Sequence, residues 1–328
     1  MSNGHLDPAT SRLSVEASRP AKADTAVVFA GDGFYARAAM QVAQQLHMLH
    51  PERRFDICIA ANDMPAAPPQ SLSHLDLRRC AITTGGMFDG LRLDPGRTEI
   101  VYLRLALPQA LRGEYRRILY LDSDIFVQGA GFDELLALDI GDRAIAAVKD
   151  NSQARTPRRV PEQFRRLGIP HAPYFNAGVM LIDVDRWLKQ DITGRTVAFG
   201  RQHRDKMIRH DQNLLNGVLQ GDWAELHPTW NWQYTAATNM LAEMVSPRIL
   251  HFIGPRKPWS SRGGRHPLRY RQAFADFMAR HFPDQPALPA VAPPEEAWMR
   301  RSLAKHVLSQ GRTLRHLRRF RNEMTVLT

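Results

Sequence analysis

Arg117-Ile118-Leu119-Tyr120-Leu121-Asp122-Ser123-Asp124-Ile125-Phe126-Val127 is the stretch that decides how this chain folds. An apolar, β-favouring run stops at two carboxylates, and a second apolar run follows. The first run reads as a buried strand of a layered α/β protein. Asp122 and Asp124 then fall at its C-terminal end, where open α/β sheets keep their ligand crevices. On extended backbone, residues two apart share one face. Two carboxylates so placed repel each other, and a divalent cation removes the conflict. Hard oxygen ligands suit magnesium or manganese, ions that bridge protein carboxylates to phosphate oxygens. An isolated Asp-x-Asp triplet is also what a solvated turn after a strand looks like, so the remaining chain has to separate the two readings.

Upstream, Thr25–Ala30 is a compact buried-strand signal that ends in Gly31-Asp32-Gly33-Phe34-Tyr35. Ala39, Val42, Ala43, Leu46 and Leu49 then share one helical face. Strand, Gly-containing turn and helix open a βα unit. A phosphate-binding Gly-x-Gly-x-x-Gly is missing, which disfavours a dinucleotide fold. Asp32 fits either a helix cap or a contact to a base with Tyr35 stacked nearby. Residues 55–61 and 77–82 read as further strands, 85–96 as a mobile Gly- and Asp-rich loop, and 98–107 as an apolar helix. That helix carries Arg104, which either snorkels to the surface or faces an anionic or sugar ligand.

Downstream, residues 144–148 form a strand signal ending at Lys149-Asp150, and the basic segment 151–173 reads as a long loop. Asn176 and Gly178 sit at the head of an apolar strand over 174–183. Gly178 permits close backbone approach, and Asn176 both donates to and accepts from hydroxyls. His210-Asp211-Gln212-Asn213 precedes a helical apolar pattern, with Asp211 either an N-cap or one of three consecutive sugar-facing polar groups. Residues 223–226 read as a strand. Residues 249–253 are an apolar strand carrying His251, followed by a Gly- and Pro-bounded turn that presents Lys257. One imidazole and one fixed cation suit a diphosphate. A helix is expected over 267–281.

The chain has 328 residues, 44% of them hydrophobic and 23% charged, enough for one large domain with appendages. Its net charge of +11 calls for an anionic partner. Between Ala297 and Glu323 there are eight cations and one acid. Apolar residues are interspersed there, so the segment reads either as a helix lying on an anionic membrane or as one docked on the domain with an arginine-rich outer face. Whatever the main domain does is expected to survive removal of this segment. Cys58 and Cys80 read as reduced core thiols. No stretch reaches transmembrane length, and the first residues lack the apolar block of a signal peptide, so the expectation is a cytoplasmic protein. The expected partition is a disordered leader over 1–24, a main domain over 25–282, a Pro-rich linker over 283–294 and a basic amphipathic helical tail over 295–328.

Taken together, Phe29-Ala30-Gly31-Asp32, Leu121-Asp122-Ser123-Asp124, the run from Phe175 to Ile182, His210 through Asn216, and His251, Gly254, Lys257, Pro258 and Trp259 resemble the retaining glycosyltransferases of family 8. These include bacterial galactosyl- and glucosyltransferases of lipopolysaccharide. Five boxes in register over roughly residues 25–282 are far more specific than any one. The resemblance implies an α/β GT-A fold, a mixed central sheet flanked by helices. It implies manganese (or magnesium) held by Asp122, Asp124 and His251, and a UDP-hexose donor. Ala30, Asp32 and Tyr35 match the uridine pocket, with Ser123 inside the metal box counted among the nucleotide contacts. Gly254 and Lys257 match the diphosphate contacts, and Arg104, Asp150, Asn176, Ala177, Asp211 and Gln212 the donor-sugar positions. Phe34 departs from the Asn usual before the tyrosine, which puts one nucleotide contact in question.

The implied acceptor is a glycan or glycolipid, and the implied place of work is the cytoplasm or the inner face of a bacterial plasma membrane. Retention favours same-face substitution with Gln212 nearest C1 and Asp150 close by, because an amide is a poor nucleophile; Asp211 is the alternative, as covalent nucleophile. Other readings are an inactive UDP-sugar- or carbohydrate-binding relative, and a basic nucleic-acid binder, which would have no use for Asp122 and Asp124.

Overall fold

The computed structural model describes residues 13–208 and 210–328, so the first twelve residues of the expected leader lie outside the described residues. Its strands are β1 (Ser14–Ala17), β2 (Thr25–Ala30), β3 (Asp56–Ala61), β4 (Arg78–Thr83), β5 (Arg117–Leu121), β6 (Ile125–Val127) and β7 (Ile145–Lys149). They continue with β8 (Phe175–Asp183), β9 (Ala224–Leu226), β10 (Trp232–Gln233), β11 (Ile249–His251) and β12 (Val326–Leu327). The helices are α1 (Gly33–Leu49), α2 (Leu103–Ala110), α3 (Phe132–Leu136), α4 (Asn151–Arg155), α5 (Glu162–Leu167) and α6 (Val184–Lys189). After them come α7 (Ile192–Gln202), α8 (Asp211–Leu219), α9 (Asn239–Val245), α10 (Leu268–His281) and α11 (Glu296–Leu317).

Nine strands form one mixed sheet in the order β1-β4-β3-β2-β5-β8-β7-β9-β12. Alternation along β2 shows why two layers of helix are needed. Val27 and Phe29 enter one core with Leu119, Leu121 and the apolar face of α1. Ala26 and Val28 enter the other with Ile118, Tyr120, α2 and α8. A second, three-stranded sheet, β10-β11-β6, begins just beyond the carboxyl end of β5, where β6 continues the chain after Asp122-Ser123-Asp124. Cys58 and Cys80 are free and buried, as the strand reading requires.

Three expectations are corrected. Part of the leader is ordered: β1 pairs antiparallel with β4 from Ser14↔Thr83 to Ala17↔Cys80. Loop 85–96 is pinned, with Met87, Phe88 and Leu91 buried and Arg201 donating to the carbonyls of Met87 (3.1 Å) and Asp89 (2.9 Å). The basic stretch 151–173 is not one loop, because it holds α4 and α5.

The basic tail is docked. The buried face of α11 carries Ser302, His306, Ser309 and His316. Ser302 and Ser309 donate to the carbonyls of Ala236 (3.2 Å) and Ala237 (2.8 Å). Beyond the helix, Arg319 pairs with the buried Glu225 (2.9 Å), Trp230 donates to the Glu323 carbonyl (2.9 Å), and β12 adds the last strand of the main sheet beside β9. Burial draws the His316 imidazole down to about 4, against the pull of Glu225, so it is neutral at pH 7.

Candidate active site

The topology puts the two aspartates and the histidine together. Asp122 and Asp124 fill the gap between β5 and β6. Strand β11 runs antiparallel to β6 with His251 opposite Ile125, and the Phe252 amide donates to the Asp124 carbonyl (3.0 Å). His251 Nε2 therefore lies 3.2 Å from Asp124 Oδ1 and 3.6 Å from Asp122 Oδ2. One ligand atom from each of the three falls within 4.8 Å of the others.

A chain of hydrogen bonds sets the tautomer of that imidazole. The Gly178 amide donates to Asn176 Oδ1 (3.1 Å), which fixes that atom as an acceptor. Asn231 then donates to the same oxygen through Nδ2 (2.9 Å) and turns its own Oδ1 toward His251 Nδ1 (3.0 Å). Nδ1 must carry the proton, which leaves the Nε2 lone pair facing two carboxylates. Asp124 Oδ1 is buried with no hydrogen-bond donor. An acceptor nitrogen and carboxylate oxygens converging without a proton between them fit a divalent cation. Lys257 Nζ is the cation beside Asp124 Oδ2, and the two form an ion pair. Burial works against ionisation of the Asp124 carboxyl, and the positive charge of Lys257 beside it helps to hold that carboxyl well below its usual range.

Gly178 makes the convergence sterically possible. A Cβ on it would sit 2.2 Å from His251 Cε1 and 2.7 Å from Asp122 Oδ2. The backbone around it also leaves the ladder. Between Ala147 and Val148 the β7 partner jumps from Met180 to Asn176. This bulge releases the polar groups of Ala177 and Gly178 from β7. The Ala177 carbonyl accepts from Arg104 (2.9 Å), and its amide donates to Gln212 Oε1 (3.2 Å).

Arg104 does not snorkel. It is locked between Asp122 Oδ1 and Asp211 Oδ2, both at 2.9 Å, over the ring of Tyr120. Tyr120 donates to the same Asp122 oxygen (2.8 Å). Asp211 is not an N-cap; His210 holds that position, and burial raises the Asp211 carboxyl above its ordinary value while Arg104 opposes the rise. Gln212 Oε1 accepts from Asn176 (3.1 Å), and its Nε2 faces Asp150 Oδ2 (3.4 Å). Asp150 caps α4 by accepting from the Ser152 amide (2.9 Å). Asp150, Asn176, Gln212 and Gly254 line one cavity of about 550 Å³.

On the other side of Asp122-Ser123-Asp124, Ala30 ends β2, and a Cβ on Gly31 would meet Tyr35 Cβ at 3.0 Å and Ser123 Oγ at 3.7 Å. Ser123 Oγ is buried without a hydrogen-bond partner. Asp32 holds the N-cap position of α1 through its carbonyl, which accepts from the amides of Tyr35 (2.9 Å) and Ala36 (3.1 Å), while its side chain makes no capping bond. Phe34 turns into an aromatic cluster with Trp259 (5.7 Å) and Phe274 (5.5 Å), so the position that departs from the family pattern is used for packing. Asn231 and Tyr120 carry no signal of a site in the sequence. Asn231 lies in a Trp-rich run with no motif of its own, and Tyr120 reads as an ordinary strand residue.

With this geometry in hand, a family model described as Glycosyl transferase family 8 matches residues 26–263. The chain belongs to glycosyl transferase family 8. Within the family it is similar to General stress protein A of Bacillus subtilis strain 168, 33% identical over 198 residues, 56% of this chain and 65% of that protein. It is 26% identical over 225 residues to the lipopolysaccharide glucosyltransferase WaaO of Escherichia coli K12, covering 66% of this chain and 64% of that protein. The chain thus spans just under two thirds of the length of these curated relatives. Among solved structures it is similar to the galactosyltransferase LgtC in complex with donor and acceptor sugar analogues. That match has a TM-score of 0.59 at 22% identity and covers 84% of this chain and 99% of that one. The fold is accordingly GT-A, a mixed sheet flanked by helices.

Proposed function

We propose that this family 8 member is a metal-dependent retaining hexosyltransferase that moves glucose or galactose from a UDP-sugar to a glycan or glycolipid hydroxyl. The observation that carries the reading is the meeting of Asp122, Asp124 and the Nε2 lone pair of His251 beside Lys257, joined through Asn231 to Asn176, which lines a cavity with Asp150 and Gln212. Those three residues would hold manganese or magnesium, which supplies Lewis-acid stabilisation to the departing diphosphate. Lys257, presented after the Gly254 turn (φ +83°), adds a fixed positive charge at the leaving oxygens. Ala30, Asp32, Tyr35 and Ser123 form the uridine side.

Gln212 has its carbonyl oxygen fixed by Asn176 and Ala177, which suits it to orient the sugar and to support an oxocarbenium-like transition state rather than to attack it. Asp211 is occupied by Arg104, which favours same-face substitution over a covalent Asp211 adduct. The acceptor proton then passes to the leaving phosphate oxygen.

UDP release from UDP-glucose and UDP-galactose with manganese present tests the reading; binding without turnover would make the chain an inactive sugar-binding relative. Asp122→Ala is expected to lower turnover by at least about a thousandfold, with an unchanged circular-dichroism spectrum. Retained activity would remove the metal role.

The same reading extends to an anionic bilayer. Outside its docked face, α11 exposes Met299, Leu303 (51%) and Val307 (60%) among Arg300, Arg301, Lys305 and Arg312, and α9, which packs on α11, exposes Met240 and Met244 (72%). An apolar stripe edged by cations suits the surface of a cytoplasmic leaflet. No helix among the described residues is long and apolar enough to cross a membrane. Leu303→Glu with Val307→Glu is expected to abolish flotation with phosphatidylglycerol vesicles and to spare UDP release. Unchanged flotation would reject this surface.

A further inference from the structure

The cavity that holds Asp150, Asn176 and Gln212 continues past them to a second end. Arg155, Thr156, Arg159, Val160 and Pro161, from the end of α4 and the turn into α5, line that end. The reacting-sugar residues leave this end unused, and its chemistry differs from theirs. Arg155 is half-buried and Arg159 exposed, and neither guanidinium has a carboxylate within 4.0 Å or a hydrogen bond among the described residues.

The acid facing Arg155 most closely is Asp150, whose oxygens are already committed to Ser152 and Gln212. Arg312 of α11 adds a like charge from behind. Glu162 also lines the cavity, but it is exposed and stands in the first turn of α5, where the helix end satisfies a negative charge. Residues 151–173 carry five arginines against Glu162 alone. A half-buried cation such as Arg155, kept without a counter-ion in the wall of a substrate cavity that a second unpaired cation also lines, is costly unless a ligand supplies the charge.

We propose that the acceptor sugar carries an anionic substituent, a phosphate or a carboxylate, which Arg155 and Arg159 grip while its hydroxyl faces the donor beside Asp150 and Gln212. This rests on the transferase reading and adds the class of acceptor. Two guanidinium forks match the planar carboxylate and the tripod of phosphate oxygens equally well, so both sources remain in the test. The position of this cavity end beside α4, on which α11 packs, also puts it next to the helix assigned to the bilayer, as a lipid-borne acceptor needs.

The experiment measures UDP release from the preferred UDP-hexose, first without acceptor and then with methyl glucoside, methyl glucoside 6-phosphate or methyl glucuronide. One or both anionic sugars are expected to exceed the neutral one in kcat/KM by about tenfold to a hundredfold. Whichever of the two does so identifies the group. The double variant Arg155→Gln, Arg159→Gln is expected to bring that ratio to near one, and Arg155→Lys, Arg159→Lys to restore part of it. A panel in which neither anionic sugar exceeds the neutral one, or a ratio unmoved in the double Gln variant, overturns the proposal. Absence of UDP release from every UDP-sugar, both without acceptor and with each acceptor of the panel, would instead overturn the transferase reading itself.

Discussion

Gly178→Ala is expected to abolish metal-supported UDP binding and sugar transfer while leaving the fold intact. The added methyl would lie 2.2 Å from Cε1 and 2.8 Å from Nδ1 of His251, and 2.7 Å from Asp122 Oδ2. His251 cannot move aside, because it is 4% exposed and Asn231 holds its Nδ1. Asp122 is held on its other oxygen by Arg104 and Tyr120. The clash is therefore relieved only by separating the ligands. Overpacking of this kind costs about 1–3 kcal/mol of stability, which a domain of this size survives, whereas the chemistry depends on ligand positions good to about 0.5 Å. The expected loss is at least about a hundredfold in kcat/KM, read by UDP release, together with lost calorimetric heat for UDP and manganese. A variant with full activity would mean that the added methyl is absorbed elsewhere and that the imidazole is no ligand.

Removing residues 295–328 is expected to destabilise the whole domain, opposite to what the sequence alone predicts. The segment supplies the edge strand β12, the Phe320 ring buried against His227, and the cation Arg319 on the buried Glu225. Without it, Glu225 keeps only Lys149 (2.9 Å), and the Trp230 indole loses its carbonyl acceptor. Losing the Phe320 burial and one charged hydrogen bond alone costs at least about 3 kcal/mol. For a domain of this size that lowers Tm by roughly 6 °C or more. Thermal unfolding of the truncated and full chains checks this, and equal midpoints would mean that the docked helix contributes nothing to stability. Loss of activity on truncation is then a folding effect. The membrane role is read only from the surface variants Leu303→Glu and Val307→Glu, which leave the buried serines and histidines in place.

Much of this fold is legible in the residue order, and the exceptions have physical causes. The run from Arg117 to Leu121 is apolar on both faces because helices cover both, so its pattern alone marks a central strand. The pairing of Asp122 and Asp124 follows from the period of two. His251 is legible as a candidate, but its meeting with the aspartates depends on the β11–β6 register, which no local pattern specifies. The bulge that frees Ala177 and Gly178 leaves only the glycine as a trace. Helix α7 escapes a sequence reading because its buried face is Ile192, Thr193, Thr196, Val197 and Gly200, too polar to show a helical stripe. Helix α11 misleads for the opposite reason: it buries serines and histidines and exposes leucines, so hydrophobic periodicity points away from the domain. Residues 14–17 look disordered in isolation, with β1 existing through its ladder to β4.

The central claim is that Asp122, Asp124 and His251 share one cation. Crystals soaked with manganese and UDP test it most directly, through the anomalous scattering of the metal. The account predicts a single strong peak at about 2.0–2.3 Å from His251 Nε2 and from both carboxylates, with the UDP diphosphate completing its coordination and Lys257 displaced toward the phosphate. A difference map with UDP bound and no peak among these three residues, or a peak elsewhere in the cavity, would contradict it.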